Sequence, residues 1–485
     1  MAISTDAAKA PTLSAASRWG LPAEAVANLA DRLRNLWSRF SHCWHTRTRD
    51  SSENGYVYLR GLLTMETKRN FAHIARRILH PSEDGQALQQ FMSDSPWPGQ
   101  VVIQQVQAEI TAKPAFQQGG VLLLDDTPDE KAGDHTAGAG RQRNGRLGTV
   151  DMSQVGAMLA WTNGTIWTWV DGELYLPKDW FAPEKADLRQ HLGIPANRRF
   201  ETKAQLGWRM IQRAKANGLP FEAIACDDFY GRDGRLRRRL DEAGLVYMAD
   251  VRADTQVYVT RPDFGPQPPT YYRRRKHPSQ PVTVQAVARC STTHFQRVQV
   301  RHTERGILED RFAARRVWTI RDGKVAEEWL VIRLEANGHH SYALSNAPAD
   351  TPLSRLAWLK CIRYFVERCN QDAKSEAGWD ELQAQKYLAW EHHLALTVLV
   401  TWFVAETKYD WAQTYARDPQ LAQQLAVEVL PALSMANIRT LLQAVLPLPQ
   451  LSPEEATYLV VKHLINRSRS TSSRLKAQRC SRDSP

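Results

Sequence analysis

The sequence predicts an α/β protein: a mixed sheet flanked by helices, preceded by a helical segment and interrupted by a β-rich insertion. Three observations carry that reading. Two short apolar runs, Val121–Leu124 and Phe221–Cys226, each end in a pair of aspartates. A long stretch after Val251 alternates with period two, whereas the segments before residue 112 and after residue 350 repeat apolar residues at three-to-four spacing. Strand, helix and strand with short connections build a parallel sheet, whose functional sites lie at the carboxyl ends of the strands.

Composition sets outer limits. A chain of 485 residues suits two to four domains with a substantial core. A net charge of +11 and a pI of about 9.4 suggest a polyanionic partner, although ribosomal and membrane-surface proteins share that balance. Cys43, Cys226, Cys290, Cys361, Cys369 and Cys480 form no Cys-x-x-Cys pair, which argues against a zinc ribbon or a disulfide scaffold. They read as reduced thiols of a cytoplasmic protein. Met1–Ser17 lacks the continuous apolar core of a signal peptide. The most apolar stretch, Leu394–Ala405, is too short to span a bilayer, so a soluble protein with no membrane partner is expected.

Taken in order, residues 1–20 are expected to be disordered and residues 21–112 helical, with helices over Ala23–Phe40, Leu63–Leu79 and Gly85–Met92. Lys68, Arg69, Arg76 and Arg77 make the second of these basic, fit either for DNA phosphates or for a solvated face. Residues 113–250 form the first part of a core. Val121–Leu124 followed by Asp125-Asp126-Thr127-Pro128 is a buried strand ending in a polar site. The Gly-rich stretch Gly133–Gly148 is expected as a loop, and it is not a Walker loop, because no Gly-Lys-Ser/Thr follows. Val155–Trp161 and Thr165–Val170 make a hairpin. Phe221–Cys226 leads into Asp227-Asp228-Phe-Tyr-Gly231, then a basic helix over Arg235–Leu240 and a buried strand over Gly244–Val251.

Residues 251–349 form the β-rich insertion, with strands at Val257–Thr260, Val282–Ala288, Val298–Arg301, Arg316–Ile320, Glu328–Leu334 and Ser341–Leu344. It contains Tyr271-Tyr-Arg273-Arg274-Arg275-Lys276-His277, cations beside aromatics that suit phosphate binding and base stacking; a solvated charge run is the alternative. Trp318 and Trp329 are either core residues or stacking platforms. Residues 350–445 return to helix, and 446–485 carry a helix and a basic tail, disordered from Asn466. His392 and His393 are adjacent on a helix, where their side chains diverge, so packing or capping is expected rather than metal binding.

One helical ridge concentrates charge. At about 100° per residue, Lys360, Arg363, Glu367 and Lys374 share an arc of roughly 60°, opposite an apolar face. Alone that is also the pattern of a solvated ridge, just as each aspartate pair is also a common strand-end cap. Together, carboxylates at adjacent strand ends and one from a crossing helix converge in the way that Mg²⁺ or Mn²⁺ requires.

The set Asp125-Asp126-Thr127, Asp227-Asp228-Phe-Tyr-Gly231 and Arg363-x-x-x-Glu367-x-x-x-x-x-x-Lys374 resembles the DDE-type transposases of bacterial insertion sequences. It is similar to the branch with a Tyr-x-x-Arg-x-x-x-Glu-x-x-x-x-x-x-Lys signature, over roughly residues 30–420. Tyr58-Leu-Arg-Gly-Leu-Leu-Thr64, Leu174-Tyr-Leu-Pro177 and Ala347-Pro-Ala-Asp-Thr-Pro352 agree with that branch. One position departs from it: the signature Tyr falls at Lys360. The resemblance implies a ribonuclease H-like core and an end-recognising N-terminal region. It implies that Asp125, Asp227 and Glu367 are catalytic and hold two Mg²⁺ (or Mn²⁺) ions, with Asp126 and Asp228 behind them. Arg363 and Lys374 would neutralise phosphate, Arg273–Lys276 would bind it, and the substrate would be double-stranded DNA bridged by a homodimer. Two other readings stay open: a metal-dependent nuclease of the same fold, and a non-catalytic DNA-binding protein derived from a transposase.

Overall fold

The computed structural model describes residues 13–144, 148–262, 280–303 and 306–449, with a few positions between 452 and 461. The basic run Arg273–Lys276 and the tail from Asn466 lie outside the described residues.

The chain begins with α1 (Ala23–Ala27), α2 (Leu29–Phe40), α3 (Ser52–Thr64), α4 (Phe71–Ile78), α5 (Gln86–Ser93) and α6 (Gly99–Ala112). The single helix expected over Leu63–Leu79 is two. Asn70 starts α4 by accepting the amide of His73, a cap that competes with continuing the helix from α3. In the loop between them Lys68 takes a left-handed φ of 60°. Arg69 is buried there, donating to Glu381 at 2.6 Å and to the Glu376 carbonyl at 2.9 Å. Arg69 therefore ties the loop to the C-terminal part of the chain, while Arg76 and Arg77 remain exposed on α4.

β1 (Val121–Glu130), β2 (Gly140–Asn144), β3 (Thr149–Thr162) and β4 (Trp167–Tyr175) are antiparallel neighbours; the stretch expected as a Gly-rich loop contributes β2. α7 (Ala186–His191) and α8 (Lys203–Ala216) lead to β5 (Ala223–Cys226), parallel to β1. α9 (Asp228–Gly231) and α10 (Gly234–Glu242) cross to β6 (Val246–Val251), parallel to β5. The order β4-β3-β1-β5-β6 is the ribonuclease H-like sheet.

The insertion contains β7 (Gln256–Val257), β8 (Val282–Thr283), α11 (Val284–Ala288), β9 (Gln296–Thr303), β10 (Gly306–Arg321), β11 (Lys324–Leu334) and β12 (His340–Ser345). Val282–Ala288, expected as one strand, turns helical after two residues because the Thr283 hydroxyl caps the Ala286 amide. β12 pairs antiparallel with β6, so β9–β12 extend the core sheet to ten strands among the described residues. Buried Glu328 of β11 accepts from Tyr247 of β6 and Thr319 of β10, and Arg321 spans Tyr247 and Asp241 at 2.9 and 2.8 Å. Trp329 donates to the Pro348 carbonyl at 3.0 Å and lies beneath the Arg316 guanidinium.

The chain closes with α12 (Leu353–Ile362), α13 (Tyr364–Gln371), α14 (Tyr387–Thr414), α15 (Gln420–Gln424) and α16 (Met435–Val445). Among the described residues α14 is long and apolar enough to cross a membrane, but 89% of its apolar window is buried against the rest of the protein. It packs on α3, α5, α6 and β4 as a core helix. The histidines on α14 pack, as expected. His393 accepts from the Tyr58 hydroxyl at 3.0 Å and reaches the Trp379 carbonyl at 3.2 Å, and His392 stacks on Trp97.

Candidate functional site

The register of β1 on β5 builds the site. Leu124 pairs with Cys226, so Asp125 and Asp227 sit side by side at the same level of two adjacent parallel strands. Asp227 follows the end of β5, whereas β1 does not end at its acids as the apolar run predicts but continues, paired to β3, as far as Glu130. Alternation then separates the acids of the first pair. Leu124 faces α8, packed against Gly207, and Asp126 shares that face, accepting Lys203 Nζ at 2.6 Å. Asp126 also accepts the hydroxyl of Tyr230, so the second motif braces the first. Asp125 is turned the other way, within the field of Arg363. Asp227 caps α9, accepting the Tyr230 amide at 3.1 Å, and Asp228 is the first residue of that short helix.

The helix crossing this edge is not the unbroken ridge that the spacing suggests. α12 stops at Ile362, α13 starts at Tyr364, and Arg363 stands at the joint. Its Nε donates to Asp250 at 3.2 Å and its Nη2 to Glu367 at 2.9 Å. Lys360 is buried and donates to the same Asp250 at 2.7 Å. Lys374 lies in a π-helical turn over Asp372–Glu376 and donates to the Pro128 carbonyl of β1 at 2.7 Å. It thereby fastens the helix to the strand that carries Asp125. Glu367 is exposed, with Arg363 as its ion-pair partner.

Burial, then the neighbouring Asp227, pushes the Asp125 carboxyl up to about 7 against the pull of Arg363. Burial likewise lifts Asp227 to about 6; the Tyr230 amide and Arg363 oppose that rise, while Asp126 and Asp228 add to it. Burial works against the Arg363 cation, yet Asp250, Asp125, Glu367 and Asp227 together hold its pKa above the ordinary value. Two carboxyls reluctant to ionise beside one another are hard oxygen donors that a divalent cation would relieve. Asp125 and Asp227 can serve such an ion, whereas Glu367 is engaged by Arg363. As the side chains stand, no three Asp, Glu, His or Cys residues among those described lie close enough to hold a metal.

Asp250 escaped the sequence reading. Its signal was present: Leu245–Ala249 is a third apolar run that ends in an acid. Lys360, noted above as part of the charged ridge and as a departure from the signature, is the other half of the pair.

A ribonuclease H-like sheet with acids side by side on two neighbouring parallel strands defines a class, the polynucleotide-cutting enzymes of that fold. Residues 39–307 match the family model described as DDE superfamily endonuclease, more than half of the chain, and the chain belongs to that family. The match stops before Glu367. The chain is also similar to the "Probable transposase for insertion sequence element IS701" of Microchaete diplosiphon, 24% identical over 183 residues, 36% of this chain. The aligned part is 43% of that relative's length, less than half.

Proposed function

We propose that the protein is a DNA transposase that cleaves the ends of its own insertion sequence and joins the freed 3′-hydroxyls to target DNA. The observation that carries this is the placement of Asp125 and Asp227 side by side on adjacent parallel strands, facing a helix joint that presents Arg363 and Glu367. In this reading Asp125, Asp227 and Glu367 hold two Mg²⁺ or Mn²⁺ ions. When bound, the ions supply the charge that activates a water or 3′-hydroxyl and stabilises the leaving oxygen of an in-line displacement. Arg363 offers its guanidinium to the scissile phosphate, and Lys374 keeps the helix on β1 while adding positive potential. Arg273–Lys276 hold DNA backbone. The working form is a homodimer bridging two ends in the cytoplasm.

The test is a purified chain incubated with duplexes carrying the element's ends and Mg²⁺. Nicked 3′-hydroxyl ends and joined products are expected. Glu367→Gln should lower cleavage by orders of magnitude and leave end binding within a few fold. Cutting without joining selects the nuclease alternative, and a Glu367→Gln protein that cleaves like wild type removes Glu367 from the site.

A further inference from the structure

We infer that Asp250, paired with buried Lys360, is a positioning residue that holds Arg363 by one end of its guanidinium, so that the other end can release Glu367 without the cation leaving the site. The inference rests on the metal-dependent reading above and concerns this chain's own bracket of charges.

The geometry is a chain of four groups. Lys360 Nζ meets Asp250 Oδ1 at 2.7 Å, Asp250 Oδ2 meets Arg363 Nε at 3.2 Å, and Arg363 Nη2 meets Glu367 at 2.9 Å. A guanidinium is a rigid fork, so Nε and Nη2 can serve two acids on different sides at once. The two ends of this fork differ in kind. Asp250 and Lys360 are largely buried, with side chains 19% and 5% exposed, whereas Glu367 is 57% exposed. The Glu367 contact is the one that solvent weakens and rotation can break.

The buried end is also rigid. Asp250 sits in β6, paired to β12 opposite Ala343, and its carbonyl abuts Gly231 of α9. Lys360 occupies the last turn of α12 and Arg363 follows it, where the carbonyl end of a helix favours cations. Two N–H donors occupy the two Asp250 oxygens, so this fourth carboxylate is neutralised by Lys360 and Arg363. Without the bracket, nothing would restrain Arg363 from settling on Asp125, Asp227 and Glu367, the acids already in its field. There it would compete with a divalent cation.

The test uses the full chain without DNA and titrates Mn²⁺ by calorimetry. Asp250→Asn combined with Lys360→Met removes the bracket while leaving no buried charge unpaired, and both forms are made with and without Arg363→Gln. Removing the bracket should weaken Mn²⁺ binding about tenfold when Arg363 is present and by less than about twofold when it is Gln. Asp250→Glu, which keeps the charge on a longer arm, should recover most of the loss and also serves if the double variant does not fold. Unchanged Mn²⁺ affinity in the bracket variant overturns the inference, and so does an equal loss in both arginine backgrounds. Wild-type protein that binds Mn²⁺ but neither cuts nor joins DNA refutes the proposed function alone, leaving the coupling readable. Wild type that takes up no Mn²⁺ overturns both.

Discussion

Gly231→Ala adds one methyl group at the point where α9 touches β6. An added Cβ would lie 1.9 Å from the Asp250 carbonyl oxygen, where ordinary contact begins at 3.4 Å, so about 1.5 Å of movement is required. The strand cannot supply it, because β6 is hydrogen-bonded to β5 on one side and β12 on the other. The four-residue α9 must move instead, taking with it the Tyr230 amide bound to Asp227 and the Tyr230 hydroxyl bound to Asp126. Overpacking of this kind costs about 3 kcal/mol of stability. A displacement of about 1 Å at a reacting group costs roughly a hundredfold in rate. Gly133→Ala is the matched control, since its methyl would meet nothing within 4 Å. Denaturant unfolding and single-turnover cleavage should show Gly231→Ala well below wild type in both, with the control near wild type. If Gly231→Ala equals Gly133→Ala in stability and rate, the close approach does not position Asp227 and the account of this motif is wrong.

Three other outcomes are expected. Asp125→Asn should abolish Mg²⁺-dependent cleavage, whereas Asp126→Asn should keep a measurable fraction and lose stability as the largely buried Lys203 loses its charged partner; the reverse ranking would move the metal site to the α8 face. His393 is fully buried, satisfied as a neutral ring, and burial holds it down at about 4. The unfolded chain protonates it near 6.5, so this ring's own contribution to stability should fall by about 3 kcal/mol as pH drops from about 6.5 to 4, and the stability difference between wild type and His393→Gln in denaturant titrations should shrink by that amount over the same range. Deleting residues 466–485 removes six cations and one acid, which should make log affinity for DNA less steep against log salt while preference for end sequences persists; an unchanged slope would mean that the tail does not touch DNA.

What the sequence revealed of the site was local. Apolar runs that turn acidic mark where a core strand reaches a polar site, and that logic found Asp125 and Asp227, although β1 runs on to Glu130 and Asp125 is itself buried. The Arg363–Glu367 spacing is a one-turn spacing, legible on any helix. Pairings between distant segments were not legible. Lys360 and Asp250 are 110 residues apart, and only the packing of α12 over β6 joins them. The insertion's strands were visible as alternation, but alternation does not say whether β12 starts a new sheet or adds to β6; the Tyr342–Val251 register decides that. Arg69 looked like a surface cation because its neighbours are polar, and it is buried because Glu381 meets it from the far end of the chain. The failure at Val282–Ala288 has a smaller cause, a threonine whose hydroxyl outcompetes β-propensity at a helix start.

The burial of α14 bears on how the protein must be made. Its partners α3, α5 and α6 leave the ribosome some three hundred residues earlier, and the faces they turn to α14 wait uncovered until Thr414 has emerged. A message cut short upstream yields a product whose N-terminal helices pack on one another but lack this central partner, fit for chaperones or proteases and not for DNA. α14 itself, released without those partners, would carry the hydropathy of a membrane segment into the cell. Synthesis thus imposes its own quality check: only a chain read through to that helix can hide both halves of the core.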